Sequence, residues 1–450
     1  MIYKKKHKFM KVLDRVFLLL LSGILIFFCG RVGEGRIPPD RQAGTLYRLA
    51  EEYEMGEVCD RNGNFIVTKK EQEACSTLFG PELQSTYASR MTLYGMAPEL
   101  FGVGDDRLHL KSLVNFLEKR KGGNVTLTID KDLQAYLYEL LWKKGFRDSA
   151  VVVSNWNTGE ILASVSLPGF LSGQDAVISN VLGKHYSVGS TMKPILAAAA
   201  LTIDPELKDF VYDCKDANHD FHTDQGVYHI ACAGNVEHGR VNMEEAMACS
   251  CNGYFISLLQ QVPRKQLEEV LKDWGFDTVV RYDQFSYWDH TFAHEVEGVD
   301  YLLAAIGQGN SRMTPMGLHL CISTLLNGGM LEEPRFIKAK STRPDQDMED
   351  QILPKSHKIC EKEVADQVCS MMLGVTEHGT GKPFFLPGFA AKTGTAQKEE
   401  KQFNTVWTTG GLTDLSTPYA ITVCLDQVGT NVSSVEAGKI GKEILEYLLK

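Results

Sequence analysis

A serine and a lysine three residues apart are the strongest candidates for a catalytic pair in this sequence. Ser190 and Lys193 precede small and apolar residues over 194–200, which predict a buried helix that begins at this pair. Side chains at positions i and i+3 share one face of a helix, so a nucleophile would have a base beside it. The helix N-terminus would also stabilise negative charge that develops near Ser190. So short a pattern also occurs by chance and needs partners elsewhere in the chain.

Two further polar fragments follow in chain order. Ser250, Cys251 and Asn252 end a predicted helix over residues 241–248, and a Lys-Thr-Gly sequence at 392–394 lies in a predicted strand of small residues over 389–396. A lysine acts as a base only when it is neutral, and its ordinary pKa is about 10.4. Burial and a second cation lower that pKa, so a site with two lysines would supply such a base. Taken singly, each of these residues could equally be a helix cap, a surface side chain or a strand end.

Composition limits the class of protein. The chain has 450 residues, of which 44% are apolar, and this length predicts at least two domains. A net charge of −10 argues against a nucleic-acid partner, because such proteins carry a basic face. The charge is uneven: residues 1–15 carry six lysines and arginines against Asp14 alone. We therefore expect a basic tip on an acidic body.

An uncharged apolar run at residues 16–30 follows the basic tip. Its length is short for a membrane span of about 20 residues and also suits a signal peptide or, less well, a buried helix. Phe27, Phe28 and Cys29 do not form the small-residue pattern of a cleavage site, which favours an uncleaved transmembrane anchor. The positive-inside rule then predicts a single-pass plasma membrane protein, with everything after Arg31 on the extracytoplasmic face.

The cysteines do not form a compact disulfide framework. There are eleven, and an odd number leaves at least one free thiol. Cys214 and Cys232 flank a polar stretch that could supply zinc ligands, but we favour a solvated hairpin with a disulfide as one option at its base. That stretch contains His219, Asp220, His222, Asp224 and His229. We expect no metal and no cofactor.

The rest of the pattern predicts two extracytoplasmic domains. Residues 31–125 form a small mixed domain with a hairpin at 57–67, where Asn62 and Gly63 occupy the turn and Asp60 and Arg61 are ion-paired or surface charges. Residues 126–450 form the large domain. Its predicted strands are 125–129, 150–154, 160–165, 389–396, 406–412 and 419–425, and its predicted flanking helices are 133–144 and 435–449.

The three fragments together resemble the S-x-x-K, S-x-N and K-T-G signature of penicillin-recognising serine enzymes. Flanking residues narrow the resemblance to class B penicillin-binding proteins, although Val188 stands where that family usually has a proline. The flanks are Gly56, Val58, Asp60, Arg61, Asn62, Gly63, Leu127, Thr128, Ile129, Asp130, Gln134, Gly307, Gln308, Gly309, Thr314 and Pro315. The resemblance implies an α/β (α+β) fold: an antiparallel sheet flanked by helices, with an all-helical subdomain. A small mixed N-terminal domain and one transmembrane helix would precede it.

Within this resemblance the first two fragments would perform the proton chemistry. Ser190 would be the nucleophile and Lys193 its base. Ser250 would relay protons between Lys193 and Lys392, and Asn252 would bind a peptide carbonyl of the substrate.

The third fragment would hold the substrate. Lys392 and the hydroxyls of Thr393 and Thr395 would bind a terminal carboxylate, and Gly394 would let the substrate backbone lie against the strand. The backbone N–H groups of Ser190 and Thr395 would form the oxyanion hole. His378 is more simply a loop residue near the cleft than a triad base.

The resemblance implies a peptidoglycan D,D-transpeptidase that crosslinks stem peptides through a Ser190 acyl-enzyme and is acylated and inhibited by β-lactam antibiotics. Its expected partners are stem peptides, the plasma membrane and a separate membrane glycosyltransferase, with no nucleic acid. The alternatives are a D,D-carboxypeptidase or a β-lactamase on the same fold, and a non-catalytic β-lactam-binding or scaffold protein.

Overall fold

The computed structural model describes residues 56–67, 123–167, 180–216, 218–278, 280–281, 286–287, 290–292, 297–341, 349–350, 355–397 and 402–450. The predicted basic tip and membrane anchor lie outside these residues, as does most of the predicted N-terminal domain. Across the described ranges, no helix has both the length and the apolar composition that crossing a bilayer requires.

The elements are as follows in chain order. The strands are β1 (Val58–Cys59), β2 (Phe65–Val67), β3 (Val125–Leu127), β4 (Ser149–Asn155), β5 (Glu160–Leu167), β6 (Tyr212–Cys214), β7 (Asn218–Thr223), β8 (Gly226–Ala231), β9 (Gly239–Val241), β10 (Val280–Arg281), β11 (Ser286–Tyr287), β12 (Met330–Glu332), β13 (Ile337–Lys340), β14 (Glu349–Asp350), β15 (Ser356–Lys358), β16 (Phe389–Gln397), β17 (Phe403–Leu412) and β18 (Tyr419–Gly429). The α-helices are α1 (Lys131–Lys143), α2 (Lys193–Ile203), α3 (Met243–Cys249), α4 (Asn252–Gln261), α5 (Arg264–Asp273), α6 (Val299–Ala304), α7 (Pro315–Leu326), α8 (Lys362–Glu377) and α9 (Ser434–Leu448).

A five-stranded antiparallel sheet in the order β16-β17-β18-β4-β5 is the centre of the large domain. Its strands are those predicted from the sequence, extended by up to four residues at an end. Four of the five strands are almost wholly buried, which explains their continuous runs of Val, Ile, Ala and Thr. Strand β16, which contains residues 392–394, lies at the edge of this sheet.

Helices α1 and α9 bury one face of the central sheet. Asp130 caps α1 by accepting hydrogen bonds from the backbone N–H groups of Asp132 and Leu133, both at 3.0 Å. The Gln134 amide pairs with both main-chain groups of Ser164 in β5 at 2.7 and 2.8 Å, which fixes the helix on the sheet. The apolar core between these layers contains Leu133, Leu137, Leu141, Val151, Val153, Phe389, Ile421, Val423, Ile440 and Ile444, among others.

A second sheet has the order β14-β13-β3-β1-β2 and joins the predicted hairpin to strands of the large domain. The hairpin turn is at Asn62 and Gly63, as the sequence predicted. Asp60 is wholly buried, and its carboxylate accepts hydrogen bonds from the backbone N–H groups of Asn62 and Asn64, which offset the cost of burying it. It is therefore not a surface charge, whereas Arg61 pairs with Glu160 at 3.5 Å.

The subdomain formed by residues 193–273 is not all-helical, contrary to the expectation from the resemblance. Helices α2 to α5 form part of it, but β6 pairs with β9 and β7 pairs with β8 within residues 212–241. Alternation of buried and exposed residues along β7, with His219 and Phe221 inward, explains the strand. This segment becomes important below because two of its cysteines and two of its histidines meet Cys251, which precedes α4.

Candidate active site

Ser190 lies at the start of the buried helix, but in a tighter turn than predicted. Residues Gly189–Met192 form a 3₁₀-helix, and α2 begins only at Lys193. Residues i and i+3 eclipse in a 3₁₀ turn, so Ser190 and Lys193 still share a face. Ser190 is half-buried, and its Oγ makes no hydrogen bond to any residue that the structure describes.

Lys193 is completely buried and points at the second fragment, not at Ser190. Its Nζ donates to Ser250 O at 2.6 Å, Ser250 Oγ at 3.1 Å and Asn252 Oδ1 at 2.8 Å. The direct Lys193–Ser190 hydrogen bond expected from the sequence is therefore not formed in this structure. The physical reason is that three oxygens of one loop satisfy all three donors of an ammonium group.

Lys392 reaches the same hydroxyl from the edge strand. Its Nζ lies 2.9 Å from Ser250 Oγ and 3.1 Å from Thr393 O, and its side chain is completely buried. The structure thus brings together Lys193, Ser250, Asn252 and Lys392, which are up to 199 residues apart in the chain. Two lysines flank one hydroxyl.

Both lysines have pKa values below the ordinary value for lysine. Burial lowers the pKa of Lys193 to about 8. Burial also lowers the pKa of Lys392 well below its usual range, and the neighbouring charge on Lys193 lowers it further. The hydrogen-bond partners of both ammonium groups are neutral oxygens, so these partners do not offset the repulsion between the two charges, which favours loss of one proton from the pair. We infer that Lys392 is the neutral member of the resting pair.

Ser250 is held in an unusual backbone conformation. It caps the C-terminus of α3 with φ +59°, in the left-handed region that a non-glycine residue rarely adopts. This conformation turns the chain sharply between α3 and α4 and aims both the carbonyl and the hydroxyl of Ser250 at Lys193. Strain of this kind typically costs about 1–3 kcal/mol and is common at functional sites.

The open edge of β16 borders the serine. Thr393 is buried and Thr395 is exposed. A Cβ at Gly394 would lie 2.6 Å from Val188 O, so only glycine lets the strand pack against the chain that precedes Ser190. Thr395 O accepts a hydrogen bond from Gln308 Nε2 at 3.3 Å. Since N–H and C=O of one residue point to the same side of an antiparallel strand, the Thr395 N–H also faces this edge.

Two further residues contact the predicted site and were not predicted as members of it. Gln308 is one of them. The sequence pointed to it only as one of the residues that narrow the resemblance to class B penicillin-binding proteins. Thr380 is the other, and its hydroxyl lies 3.0 Å from that of Thr393. His378 ends α8 as an exposed residue, which agrees with a loop position better than with a catalytic base.

Gly189 sets the distance between the serine turn and β16. It has φ +57°, and a Cβ at this position would lie 2.6 Å from Thr395 O. Its N–H donates to Gly307 O at 2.9 Å, which ties the turn to a second glycine. The turn that precedes Ser190 therefore packs this closely against the Thr395 backbone only because position 189 has no side chain.

We expect Gly189→Ala to slow acylation of Ser190 by at least tenfold, because the added methyl group pushes Thr395 away from the serine. The second-order rate of labelling by a fluorescent penicillin measures this effect. Gly63→Ala is a matched control: Gly63 also has positive φ, +85°, but nothing lies within 4 Å of its Cβ position. Equal rates for Gly189→Ala and Gly63→Ala would contradict the prediction.

The comparisons with known proteins agree with this site. Residues 149–446 match the penicillin binding protein transpeptidase domain family, which is most of the chain. The chain belongs to this family, and the resemblance to class B penicillin-binding proteins is thereby confirmed.

Curated relatives include stage V sporulation protein D of Bacillus subtilis, 27% identical over 298 residues that cover 63% of this chain and 46% of that protein. Peptidoglycan D,D-transpeptidase MrdA of Haemophilus influenzae is 25% identical over 386 residues, 73% of this chain and 56% of that protein. The chain spans about half the length of these relatives.

Solved structures confirm the fold. Penicillin-binding protein A from M. tuberculosis, described as a ceftriaxone acyl-enzyme complex, has a TM-score of 0.76 at 21% identity and covers 89% of this chain and 100% of its own. Penicillin-binding protein 3 from M. tuberculosis has a TM-score of 0.68 at 20% identity, and the match covers 88% of this chain and 96% of that chain. The mixed α/β fold predicted for residues 126–450 is therefore the family fold.

Proposed function

We propose that this protein is a serine-type peptidoglycan D,D-transpeptidase. The observation that carries the proposal is the arrangement of two buried lysines on Ser250 Oγ beside the accessible Ser190, within a chain of the penicillin-binding family. Relatives named peptidoglycan D,D-transpeptidases and neighbours described as β-lactam acyl-enzymes support the substrate class.

Acylation begins with loss of the Ser190 proton. In the resting site Lys193 donates to Ser250 Oγ, and the Ser250 hydroxyl can donate to a neutral Lys392. Because burial lowers the pKa of Lys193 to about 8, this lysine can lose its proton near neutral pH, and its neutral amine then accepts the proton of Ser190 while Ser250 relays protons between the two lysines. Ser190 Oγ then forms a bond to the penultimate D-alanine carbonyl, and the terminal D-alanine departs with a proton returned through Ser250.

Substrate is held by the edge strand and the loop opposite it. Lys392 and the hydroxyls of Thr393 and Thr395 bind the terminal carboxylate, and Asn252 binds a peptide carbonyl. The backbone N–H groups of Ser190 and Thr395 stabilise the oxyanion, and each such donor is worth about 3–4 kcal/mol in the transition state. An amine of a second stem peptide resolves the acyl-enzyme.

Three assays separate the proposal from its alternatives. Intact-mass analysis after penicillin should show one stable adduct per chain, whereas a scaffold that does not bind penicillin would show none. A chromogenic cephalosporin should be turned over about once, because sustained turnover defines a β-lactamase. The third assay supplies a peptide ending in D-Ala-D-Ala together with a free D-amino acid. A transpeptidase should release D-alanine and form a peptide that carries the added D-amino acid in its place. A carboxypeptidase would release D-alanine and form only the shortened, hydrolysed peptide.

The acylation rate should rise with pH through about 8. Burial lowers the pKa of Lys193 to about 8, so the neutral fraction of this lysine grows as pH increases from 6 to 9. Well below that pKa the rate should increase about tenfold per pH unit, and above it the rate should level off. The profile is measured from the rate of labelling with a penicillin in samples quenched at fixed times at each pH. The penicillin carboxylate stays ionised over this range, so a change in rate reports on the protein. A rate that is flat or falls with pH would contradict the assignment of Lys193 as base.

We also propose that the chain is a single-pass plasma membrane protein with this domain on the extracytoplasmic face. The uncharged run at residues 16–30 behind a basic tip supports this placement. A separate membrane glycosyltransferase is the proposed partner, since the resemblance to class B proteins implies one. Alkaline extraction of membranes from producing cells tests the anchor, because a peripheral protein would be released.

A further inference from the structure

Three cysteines and two histidines converge behind the Ser250 loop. The cysteines are Cys214 at the end of β6, Cys232 after β8 and Cys251 at the N-cap of α4. All three are buried, with at most 2% of their surface exposed. His219 and His238 lie against them from β7 and from the residue before β9. The cluster thus joins four separate segments of chain.

The distances within the cluster are those of a tetrahedral metal site. Cys214 Sγ lies 4.0 Å from Cys232 Sγ, and Cys232 Sγ lies 3.8 Å from Cys251 Sγ. His238 Nδ1 lies 3.5 Å from Cys214 Sγ, and all four ligand atoms are within 4.8 Å of one another. Zinc bonds of about 2.3 Å to sulfur and 2.0–2.1 Å to nitrogen give tetrahedral edges of about 3.8 and 3.6 Å.

We propose that Cys214, Cys232, Cys251 and His238 bind one structural zinc ion. Binding releases the three thiol protons to solvent as the thiolates coordinate the metal. The sequence favoured a solvated hairpin without a metal for this stretch and did not group Cys251 with it. A Cys214–Cys232 disulfide explains the cluster less well, since it would leave Cys251 equally close and unused.

Neighbouring groups provide the outer hydrogen bonds that zinc thiolates need. His219 Nδ1 lies 3.0 Å from Tyr212 OH and its Nε2 lies 3.3 Å from Cys232 Sγ, and in the tautomer with the proton on Nε2 the ring accepts from Tyr212 and donates to Cys232. The backbone N–H groups of Tyr254 and His238 donate to Cys251 and Cys214, both at 3.4 Å. His222 and His229, which the sequence also offered as ligands, are exposed instead.

The segment also lacks enough core to hold itself together. Among the described residues of 205–241, the buried apolar side chains other than cysteine are Phe221, Ile230 and Val241. Segments with so little buried apolar surface usually need a disulfide or a metal. A zinc ion would supply that link.

The metal would act on catalysis through the Ser-Cys-Asn loop. Cys251 separates Ser250 and Asn252, whose oxygens hold Lys193. Asn252 Nδ2 also donates to Ala231 O at 2.8 Å, next to Cys232. Zinc would therefore hold Ser250 in its strained conformation between the two lysines. The metal site stands independently of the proposed function, and only this positioning effect rests on it.

Metal analysis by plasma mass spectrometry of the full chain, purified with reductant and without chelator, tests the site. We expect about one zinc ion per chain in the wild type and less than about 0.1 in Cys232→Ser. Cys369→Ser, which changes a buried cysteine outside the cluster, should keep its zinc. His238→Cys should also keep one zinc, and a cobalt-substituted sample should show the spectrum of four thiolates instead of three.

Three results would overturn the site: wild type without zinc even after reduction and incubation with Zn²⁺, Cys232→Ser with full zinc, or a Cys214–Cys232 disulfide found by peptide mapping. If Cys232→Ser does not fold, the cobalt spectra of wild type and His238→Cys decide, because identical spectra exclude His238 as a ligand. Removing zinc should slow penicillin labelling at least tenfold. Zinc bound at full occupancy with no labelling at all would instead count against the proposed function.

Discussion

Ser190→Ala should form no covalent adduct with penicillin, whereas the wild-type chain gains the mass of one penicillin molecule. Ser190 lies one turn before Lys193 and is half-buried, and its hydroxyl makes no hydrogen bond to a described residue, whereas the Ser250 hydroxyl is already held by both lysines. Loss of a catalytic nucleophile typically lowers turnover about a millionfold, so no adduct should appear within hours. Intact-mass analysis measures this directly, and peptide mapping of the wild type should place the adduct on residue 190.

Ser187→Ala is the control for this variant. Ser187 lies three residues before the nucleophile, is half-exposed, and contacts Trp407 through its backbone carbonyl, not its hydroxyl. The control should acquire the adduct at the wild-type rate. A persistent adduct in Ser190→Ala would end the assignment of the nucleophile.

Lys193→Met should reduce the acylation rate by about a thousandfold or more, because a general base contributes about 10²–10⁴-fold and this lysine also orients Ser250. Methionine has a similar length and no charge, so it fits the buried position without a cavity. The second-order rate of penicillin labelling at pH 8 measures the effect. Raising the pH to 9.5 should not restore the variant, although it should bring the wild type to its plateau.

The matched control is Lys208→Met, which removes an exposed lysine that has no part in the site. It should label at the wild-type rate. Circular dichroism and a melting curve check that both variants are folded, since Lys193→Met removes the donor to three oxygens and should lower the melting temperature. Labelling of folded Lys193→Met within tenfold of the wild type would show that Lys392 alone can serve as base.

The sequence by itself predicted the central sheet, the flanking helices and four polar residues that the structure brings together, namely Lys193, Ser250, Asn252 and Lys392, but not Gln308 or Thr380. Period-two alternation and buried apolar runs predicted β4, β5 and β16 to β18, since these signals depend only on which residues avoid water. The three short polar fragments identified the chemistry, because each contributes a different group to acyl transfer. Local patterns therefore predicted the elements and the candidate residues, and the resemblance of the three fragments to a known family implied the fold class.

Only the tertiary structure decided which atoms meet. It directed Lys193 to Ser250 and Asn252 instead of Ser190, because three oxygens of a loop 57 or more residues away satisfy its donors. It brought Cys251 to Cys214 and Cys232, an approach that depends on how α4 packs on the hairpin. Contacts between distant segments arise from packing in three dimensions, which a one-dimensional pattern does not encode.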